Sequence, residues 1–377
     1  MIIPWLADNW EQLFFGGFCL AVFIQLIYHL YFFTRVGNYK KKEKSRSQTH
    51  PVSVIICARD HADQLMRNLP GVLVQKFSTT HEVIVVNHNS QDDTQYLLEE
   101  FKKTFKDLKI VNLKQDALGI PGKKYPLSVG IKESKFEVLL LTDADCVPAS
   151  EFWLEKMQEG YDENIEIVLG YGGYHKKKGL LNKLIRFETF HTALQYLSYA
   201  LAGIPYMGVG RNLSYKKSLF FKNKGFSSLN HLPGGDDDLF INKVANKHNT
   251  TVVIDPDAFT YSEPKKKFGE WFNQKKRHYS TAKYYKPLHK FLLGTYSVSH
   301  FFIYPLFIAA LFFTPWIWVV SVMGTRIIIQ SVVYGRAMKK LNEKDLFGYW
   351  LIFDLWMFIY YLIFAPALWR KPTKNWN

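Results

Sequence analysis

The chain has 377 residues, and its 48 Lys and Arg side chains outnumber 33 Asp and Glu side chains, which gives a formal net charge of +15. Such a charge favours an anionic partner, for example a membrane surface or a phosphate-bearing substrate. The three cysteines, Cys19, Cys57 and Cys146, form no CxxC or Cys/His cluster, which excludes a disulfide scaffold and a zinc module.

The N-terminal part predicts a membrane anchor. Residues 13–33 carry no formal charge and are long enough for a helix to cross about 30 Å of hydrocarbon. Six Lys and Arg residues follow between Arg35 and Arg46 in a linker over residues 34–50. Because positive residues stay in the cytoplasm, we expect residues 1–12 outside the cell (inner) membrane and the following domain inside.

Residues 51–264 alternate short apolar runs with helical segments. The predicted strands cover residues 52–57, 82–87, 109–113 and 136–142, and the predicted helices cover residues 63–75, 94–105 and 121–134. This pattern indicates an α/β fold with a Rossmann-like, mainly parallel sheet covered on both faces. Ligands bind at the carboxyl ends of such strands. The polar residues predicted at those ends are Arg59, Asp60, Asn87, Asn89, Asp143 and Asp145.

Asp143 and Asp145 directly follow an apolar strand. Side chains two residues apart project to the same side, so both carboxylates can hold one divalent cation. Hard oxygen ligands suit Mg²⁺ or Mn²⁺. The alternative is an ordinary solvated turn.

Three adjacent acids, Asp236, Asp237 and Asp238, stand at the start of a helix predicted over residues 237–247. One acid at a helix N-terminus is an ordinary cap. Three neighbouring carboxylates repel one another, which favours a site and a general base among them.

Residues 265–292 carry nine Lys and Arg side chains between Lys265 and Lys290, with aromatic residues between them. Because an apolar helix follows, we expect a basic helix on anionic lipid headgroups and no nucleic-acid partner. Gln274 and Arg277 are three residues apart on one helical face, and a guanidinium suits a diphosphate.

Residues 296–369 predict a C-terminal membrane region. Thr314 and Pro315 divide its first part into two helices, and a further helix contains Asp354, for four spans in the chain. We expect Asp354 to be partly buried against a neighbouring helix. Four spans leave the basic tail, residues 370–377, outside, against the positive-inside rule, so one C-terminal segment lying in the interface is the alternative.

Together these motifs resemble membrane-bound family 2 glycosyltransferases, in the branch of ceramide glucosyltransferases and cellulose and hyaluronan synthases. The resemblance rests on residues 52–56, on Asn87 with Ser90 and Asp92, on Gly122-Lys123, and on residues 142–145, 235–239 and 274–278. It implies a GT-A fold, a nucleotide-sugar donor, a divalent cation and inverting transfer in one displacement.

The resemblance also implies roles for single residues. Asp145 would hold the metal, and Asp143 the metal or the nucleotide. Alignment on Leu239 makes Asp236 the base, with Asp237 as the second candidate. The other implied donor-binding residues are Arg59, Asn87, Asn89, Lys123, Gln274 and Arg277, and the acceptor-side residues are Asp238, Trp271 and His278.

Two departures refine the prediction. Asn87 replaces the usual Asp, although an amide oxygen can still accept the uracil N3 hydrogen. His278 replaces a Trp, which favours a single transfer. We therefore expect transfer from a UDP-sugar to a membrane lipid, for which the apolar residues 180–202 form either a path or ordinary core. The alternatives are a processive polysaccharide synthase and a catalytically inactive protein that binds sugar nucleotides or lipids.

Overall fold

The computed structural model describes residues 10–41, 50–115, 117 and 119–368. Most of the expected external segment, part of the basic linker and the basic tail lie outside the described residues. The helices are α1 (Trp10–Ile27, continued by a π-helical segment Tyr28–Phe33 and a last turn Thr34–Gly37), α2 (Ala62–Leu73), α3 (Thr94–Thr104), α4 (Lys124–Glu133), α5 (Trp153–Gln158), α6 (Leu180–Leu201), α7 (Lys217–Lys222), α8 (Asp238–Val244), α9 (Phe268–Tyr279), α10 (Pro287–Phe313), α11 (Trp316–Lys340) and α12 (Trp350–Phe364, with 3₁₀ turns Lys344–Tyr349 before it and Ala365–Leu368 after it). The strands are β1 (Val52–Ala58), β2 (His81–His88), β3 (Leu108–Leu113), β4 (Val138–Asp143), β5 (Cys146–Pro148), β6 (Ile167–Leu169), β7 (Gly172–Tyr174), β8 (Leu213–Lys216), β9 (Thr250–Val252) and β10 (Thr260–Ser262).

The central sheet has seven strands in the order β3-β2-β1-β4-β8-β6-β9, and β5, β10 and β7 form a smaller sheet. Strand β1 pairs in parallel with β2 and β4, so that Cys57 lies opposite Val86 and Asp143. Strand β8 is antiparallel to β4, with Leu213 opposite Leu141. The carboxyl ends of β1, β2 and β4 and the start of β8 therefore meet at one edge, which confirms the predicted mainly parallel sheet.

Both faces of this sheet are buried, because alternate residues of a strand point to opposite sides. In β1, Val54 and Ile56 join one core with α2, α3 and α5, whereas Ile55 and Cys57 join another with α4 and α6. The second core continues into the apolar helices through the buried residues of α6. Most residues of α6 are buried, which agrees with the prediction of ordinary core for residues 180–202.

Four helices, α1, α10, α11 and α12, are long and apolar enough to cross a membrane. Helices α1 and α10 run antiparallel, because the contacting residues go up in number along α1 while their partners go down in number along α10. The contacting pairs are Phe14 with Phe313, Phe18 with Phe307, Gln25 with Ser299, and Tyr28 with Tyr296. The predicted break at Thr314 and Pro315 separates α10 from α11.

Asp354 of α12 is 2 % exposed, which is deeper than the partial burial expected for it. Its carboxylate accepts hydrogen bonds from Tyr304, Arg326 and Gln330 and contacts His300 at 3.1 Å. The predicted contact with neighbouring helices is confirmed, and the carboxylate lies in a polar cluster shared by α10, α11 and α12.

The basic segment, residues 265–292, does not form the single amphipathic helix that we expected. Helix α9 ends at Tyr279, and α10 begins at Pro287, nine residues before the predicted membrane region. Lys275 of α9 is buried and forms an ion pair with Glu188 of α6. One face of α9, which carries Trp271 and Lys275, therefore packs into the protein. The ion pair with Glu188 compensates for the cost of burying the Lys275 charge.

Candidate active site at the carboxyl edge of the sheet

The turns after β1 and β2 are bonded to each other. The Asp60 amide donates to Ser90 Oγ at 3.0 Å, and Asp60 Oδ1 accepts from the Gln91 amide at 2.6 Å. Asp60 and Asn89 both have positive φ values, 54° and 52°, which short polar side chains tolerate. These bonds place Arg59 and Asn89, both predicted for donor binding, at the same edge.

Asn87 is the second-last residue of β2 and is buried, with 4 % of its surface exposed. Its Nδ2 donates to Asn112 Oδ1 at 3.0 Å. Its Oδ1 is also buried and has no hydrogen-bond partner among the residues that the structure describes. A buried acceptor without a donor is costly, so this atom is suited to accept a hydrogen bond from a bound ligand.

The acid pair lies at the end of β4. The ligand atoms of Asp143, Asp145 and Cys146 lie within 4.8 Å of one another. Lys123, which directly precedes α4, forms an ion pair with Asp143. Burial opposes ionisation of Asp143, but the Lys123 ammonium outweighs it and lowers the pKa. Burial and then repulsion from Asp143 raise the pKa of Asp145.

The donor set of this pair fits a hard divalent cation. Two carboxylates supply oxygen ligands, which Mg²⁺ and Mn²⁺ prefer. Burial raises the pKa of the Cys146 thiol, and its sulfur contacts Ser262 Oγ at 3.0 Å, so a neutral thiol faces the pair. The carboxylates of Asp143 and Asp145 are thus the groups that would hold a metal.

Arg211 was not predicted from the sequence. It precedes β8 at the edge beside β4, and its guanidinium stacks over the Tyr174 ring at 4.5 Å and donates to the Gly173 carbonyl at 3.1 Å. Its charge favours the ionised form of both acids, although burial and Asp143 still raise the pKa of Asp145. A cation directly before a strand was the available signal, but only the antiparallel pairing of β8 places it beside the acid pair.

The loop that carries the three acids packs on the Gly122-Lys123 turn. Gly122 has φ of +81°, and a Cβ there would lie 2.2 Å from the Pro233 carbonyl oxygen, so only glycine fits. Lys124 is buried and its ammonium donates to the carbonyls of Leu232 and Gly234. The predicted donor turn and acid loop are therefore held together.

Gly235 stands where the family resemblance implies Glu. Its φ is +94°, and a Cβ would meet the Leu239 side chain at 2.6 Å. The left-handed backbone explains the glycine at this position.

The three acids differ in their hydrogen bonds. Asp237 accepts from the amides of Gly210 at 2.8 Å and Asp238 at 2.7 Å, and it caps α8, which is shorter than predicted and ends at Val244. Burial and then repulsion from Asp236 and Asp238 raise the pKa of Asp237 to about 8. Asp236 is partly exposed and has neither a hydrogen bond nor an ion pair within the described part of the chain.

Asp238 does not face the acceptor side as expected. It is buried, and its Oδ2 accepts from the hydroxyls of Thr281 at 2.6 Å and Tyr285 at 2.8 Å. These bonds tie the acid helix to the connection between α9 and α10. Two adjacent acids are therefore fixed by hydrogen bonds, and Asp236 is the one of the three whose carboxylate makes no hydrogen bond within the described residues.

Helix α9 carries Gln274, Arg277 and His278. Gln274 Oε1 is buried and has no partner in the described segments. Part of the His278 side chain is exposed to solvent. Desolvation of its ring by surrounding protein atoms, followed by the positive charges of Lys275 and Arg277, lowers its pKa well below the usual range. His278 is therefore a neutral imidazole at pH 7, which could contact a sugar by hydrogen bonding.

Trp271 does not lie on the acceptor side, where the family resemblance placed it. It is fully buried, and its ring packs against Tyr360 and Phe364 of α12 at 6.1 Å. Trp271 lies on the face of α9 that binds α12, so it is unable to contact an acceptor from the cleft.

Comparisons with known proteins agree with this architecture. The probable glycosyltransferase YdaM of Bacillus subtilis is 26% identical over 291 residues, which cover 71% of this chain and 65% of that protein. A poly-beta-1,6-N-acetyl-D-glucosamine synthase of Staphylococcus aureus is 24% identical over 164 residues, which cover 42% of this chain and 38% of the synthase. The chain thus matches less than two thirds of the length of these relatives.

Among solved structures, the fold is similar to the mannosyltransferase PcManGT from Pyrobaculum calidifontis, in complex with GDP-Man and Mn2+. That comparison has a TM-score of 0.58 and 17% identity, and it covers 92% of this chain and 99% of that one. Residues 50–281, more than half of the chain, match the family described as "Glycosyltransferase like family 2". The predicted GT-A fold is therefore confirmed, and the chain belongs to glycosyltransferase-like family 2.

Proposed function

We propose that this protein transfers one sugar from a UDP-sugar to the hydroxyl of a membrane lipid at the cytoplasmic face, with inversion at the anomeric carbon. The observation that carries the proposal is the common edge of β2, β4 and β8. Asn87, whose buried oxygen has no partner among the described residues, and the Asp143/Asp145 pair lie at this edge, and Asp143 and Asp236 both act electrostatically on Lys123.

For the donor, Asn87 Oδ1 accepts a hydrogen bond from the N3–H of uracil. The cations Lys123 and Arg211, which lie beside the acid pair, bind the diphosphate. A divalent cation held by Asp143 and Asp145 would neutralise charge on the departing diphosphate as a Lewis acid. Lys123, Arg211 and Arg277 add to the same stabilisation, because preorganised positive charge favours the transition state in which the diphosphate departs.

For the transfer, the Asp236 carboxylate takes the proton of the acceptor hydroxyl. The acceptor oxygen forms a bond to the anomeric carbon while the bond from that carbon to the diphosphate oxygen breaks, and UDP leaves with the electron pair. One displacement inverts the configuration. Asp237 and Asp238 keep the acid loop in place through their hydrogen bonds, so that the base keeps its orientation.

A lipid acceptor is supported by the contacts between α8 and α10. Asn242 of α8 contacts His289, in the first turn of α10, at 2.9 Å, and the Lys286 amide donates to Asn242 at 3.0 Å. The helix that follows the base is thus joined to the beginning of an apolar helix. An acceptor hydroxyl near the bilayer surface would lie close to Asp236.

Product analysis tests this proposal. Purified protein in lipid vesicles would be incubated with Mn²⁺ and, in turn, UDP-glucose, UDP-N-acetylglucosamine or GDP-mannose, and lipids would be examined by mass spectrometry. We expect a single added sugar residue, a hexose from UDP-glucose or an N-acetylhexosamine from UDP-N-acetylglucosamine. A ladder of longer products would favour the polysaccharide synthase, whereas donor binding without a product would favour the inactive binding protein.

Replacement of Asn87 tests the donor assignment. An Asn87→Leu variant loses the acceptor oxygen, so we expect UDP to bind roughly tenfold more weakly, as for one lost buried hydrogen bond. An Asn87→Asp variant retains an acceptor and serves as the matched control. Equal UDP affinity in the wild type and both variants, measured by calorimetry, would contradict the assignment.

A further inference from the structure

Helix α12 contacts its neighbours in a different way from α1 and α10. From Asp354 to Tyr361 it advances seven residues, or about 10 Å at 1.5 Å per residue. Within the described chain, its hydrogen bonds and ring contacts to α10 lie between Ser297 and Tyr304. Helix α12 therefore contacts a middle part of α10, whereas α1 follows α10 as far as Phe313.

Both ends of α12 contact the catalytic domain. Just before it, Glu343 and Asp345 form ion pairs with the buried Arg186 of α6. At the other end, Phe364 packs against Phe272 at 5.1 Å and Tyr279 at 5.6 Å, both on α9. A helix that crossed the bilayer would have one of its ends about 30 Å away from that domain.

The middle of α12 also rests on the catalytic domain. Phe353 packs on Phe187 of α6 at 5.1 Å, and the Tyr360 hydroxyl donates to Glu188 at 3.4 Å. Glu188 is the partner of Lys275, so this contact reaches α9, the helix of Gln274 and Arg277. One face of α12 is thus attached to the domain from end to end.

The opposite face of α12 is an exposed apolar stripe with helical spacing. Its residues are Leu351, Ile352, Leu355, Ile359, Leu362 and Ile363, which are 38% to 66% exposed. An uninterrupted stripe of this kind on a surface calls for an apolar partner. The neighbouring apolar helices also expose large apolar side chains, Phe302 and Ile308 on α10 and Ile328 and Val332 on α11, so acyl chains are the occupant that fits.

We propose that α12 lies in the plane of the inner leaflet, with its stripe in the lipid and its other face on the catalytic domain. Only α1, α10 and α11 then span the membrane, and the C-terminus is cytoplasmic. The sequence alone predicted four spans with an external tail and, as the alternative, one C-terminal segment in the interface, without identifying that segment. If α12 lies in the interface, Arg370, Lys371 and Lys374 are on the cytoplasmic side, where positive residues are retained. This inference is independent of the proposed sugar transfer.

Cysteine labelling tests the topology in the full-length chain. Cys19→Ser provides the background, because Cys57 and Cys146 are buried. Asn377→Cys is the test variant, and Thr314→Cys, between α10 and α11, is the external control. We expect a membrane-impermeant maleimide to label Thr314→Cys in intact cells and Asn377→Cys only after permeabilisation. Equal labelling of both variants in intact cells would overturn the proposal.

Depth measurements supply a second test that does not depend on the tail. Fluorophores would be attached at Leu351→Cys and, separately, at Leu362→Cys, and quenched by lipids with nitroxides at different depths. In an interfacial helix the two positions lie at similar depth. In a spanning helix the 11 residues between them correspond to about 16 Å along the membrane normal, and a difference of that size would overturn the proposal.

Discussion

The Asp143/Asp145 pair and the acids Asp236, Asp237 and Asp238 are stabilised in different ways. Cations balance the pair at the end of β4, because Lys123 forms an ion pair with Asp143 and Arg211 lies close to both carboxylates. Hydrogen bonds hold the second cluster, where Asp237 accepts from backbone amides and Asp238 from two hydroxyls.

This difference indicates a division of labour. A carboxylate that is paired with a flexible ammonium can exchange that partner for a metal ion and a diphosphate. A carboxylate that is fixed by several hydrogen bonds is held as part of the scaffold. The hydrogen-bonded cluster leaves only Asp236 open, and so it offers a single base at a defined position.

The largest expected effect is the loss of the metal pair. Asp145→Asn removes the charge of one proposed ligand, so we expect turnover to fall below detection while the protein remains folded and in the membrane. Asp107→Asn, on an exposed loop, is the matched control and should keep full activity. Wild-type turnover of Asp145→Asn would remove the metal site from the proposed mechanism.

The next effect separates the open acid from its fixed neighbour. Asp236→Asn removes the proposed base, so we expect kcat to fall by about 10²- to 10⁴-fold with donor affinity retained. Asp237→Asn keeps one of two backbone hydrogen bonds, and we expect a loss below tenfold. If Asp237→Asn were the inactive variant and Asp236→Asn were active, the two roles would have to be exchanged.

A smaller effect concerns the link between the acid helix and α10. Tyr285→Phe removes one of the hydroxyls that donate to Asp238, which costs about 1 kcal/mol for a typical hydrogen bond. We expect a lower melting temperature and a change in kcat of only a few fold. A drop in kcat as large as that of Asp236→Asn, with an unchanged melting temperature, would show that Asp238 takes part in the chemistry.

The last effect concerns stability rather than turnover, as a dependence on pH. The pKa of Asp237 is raised to about 8 in the folded protein, whereas an unfolded Asp has a pKa near 3.8. Folding therefore favours the protonated acid, and this contribution is complete below pH 4 and is lost as the pH rises through 8. Relative to Asp237→Asn, wild-type thermal stability should decline between pH 5 and pH 9. A constant difference would contradict this assignment.

Much of the catalytic fold could be predicted from local patterns. The four predicted strands agree with β1 to β4 to within two residues at each end. Buried parallel strands are recognisable by their apolar composition alone. The acid pair followed from its position after β4. Arg211 could not be predicted, since its place beside the pair depends on the antiparallel pairing of β8, a contact between distant segments.

The errors arose where long-range packing decides the outcome. Trp271 stands in a basic segment that suggested a surface helix, but contacts with Tyr360 and Phe364 bury it. Asp238 has the same local sequence signals as Asp236, and only the return of Thr281 and Tyr285 distinguishes them.

The most direct test of the proposed function is the release of free UDP from a UDP-sugar by the purified protein with Mn²⁺, with and without acceptor lipid vesicles. The wild type should release one UDP for each glycolipid formed, and only when vesicles are present, whereas Asp236→Asn should bind the donor and release almost none. Equal release by both proteins, or none by either despite donor binding, would contradict a transfer that depends on Asp236.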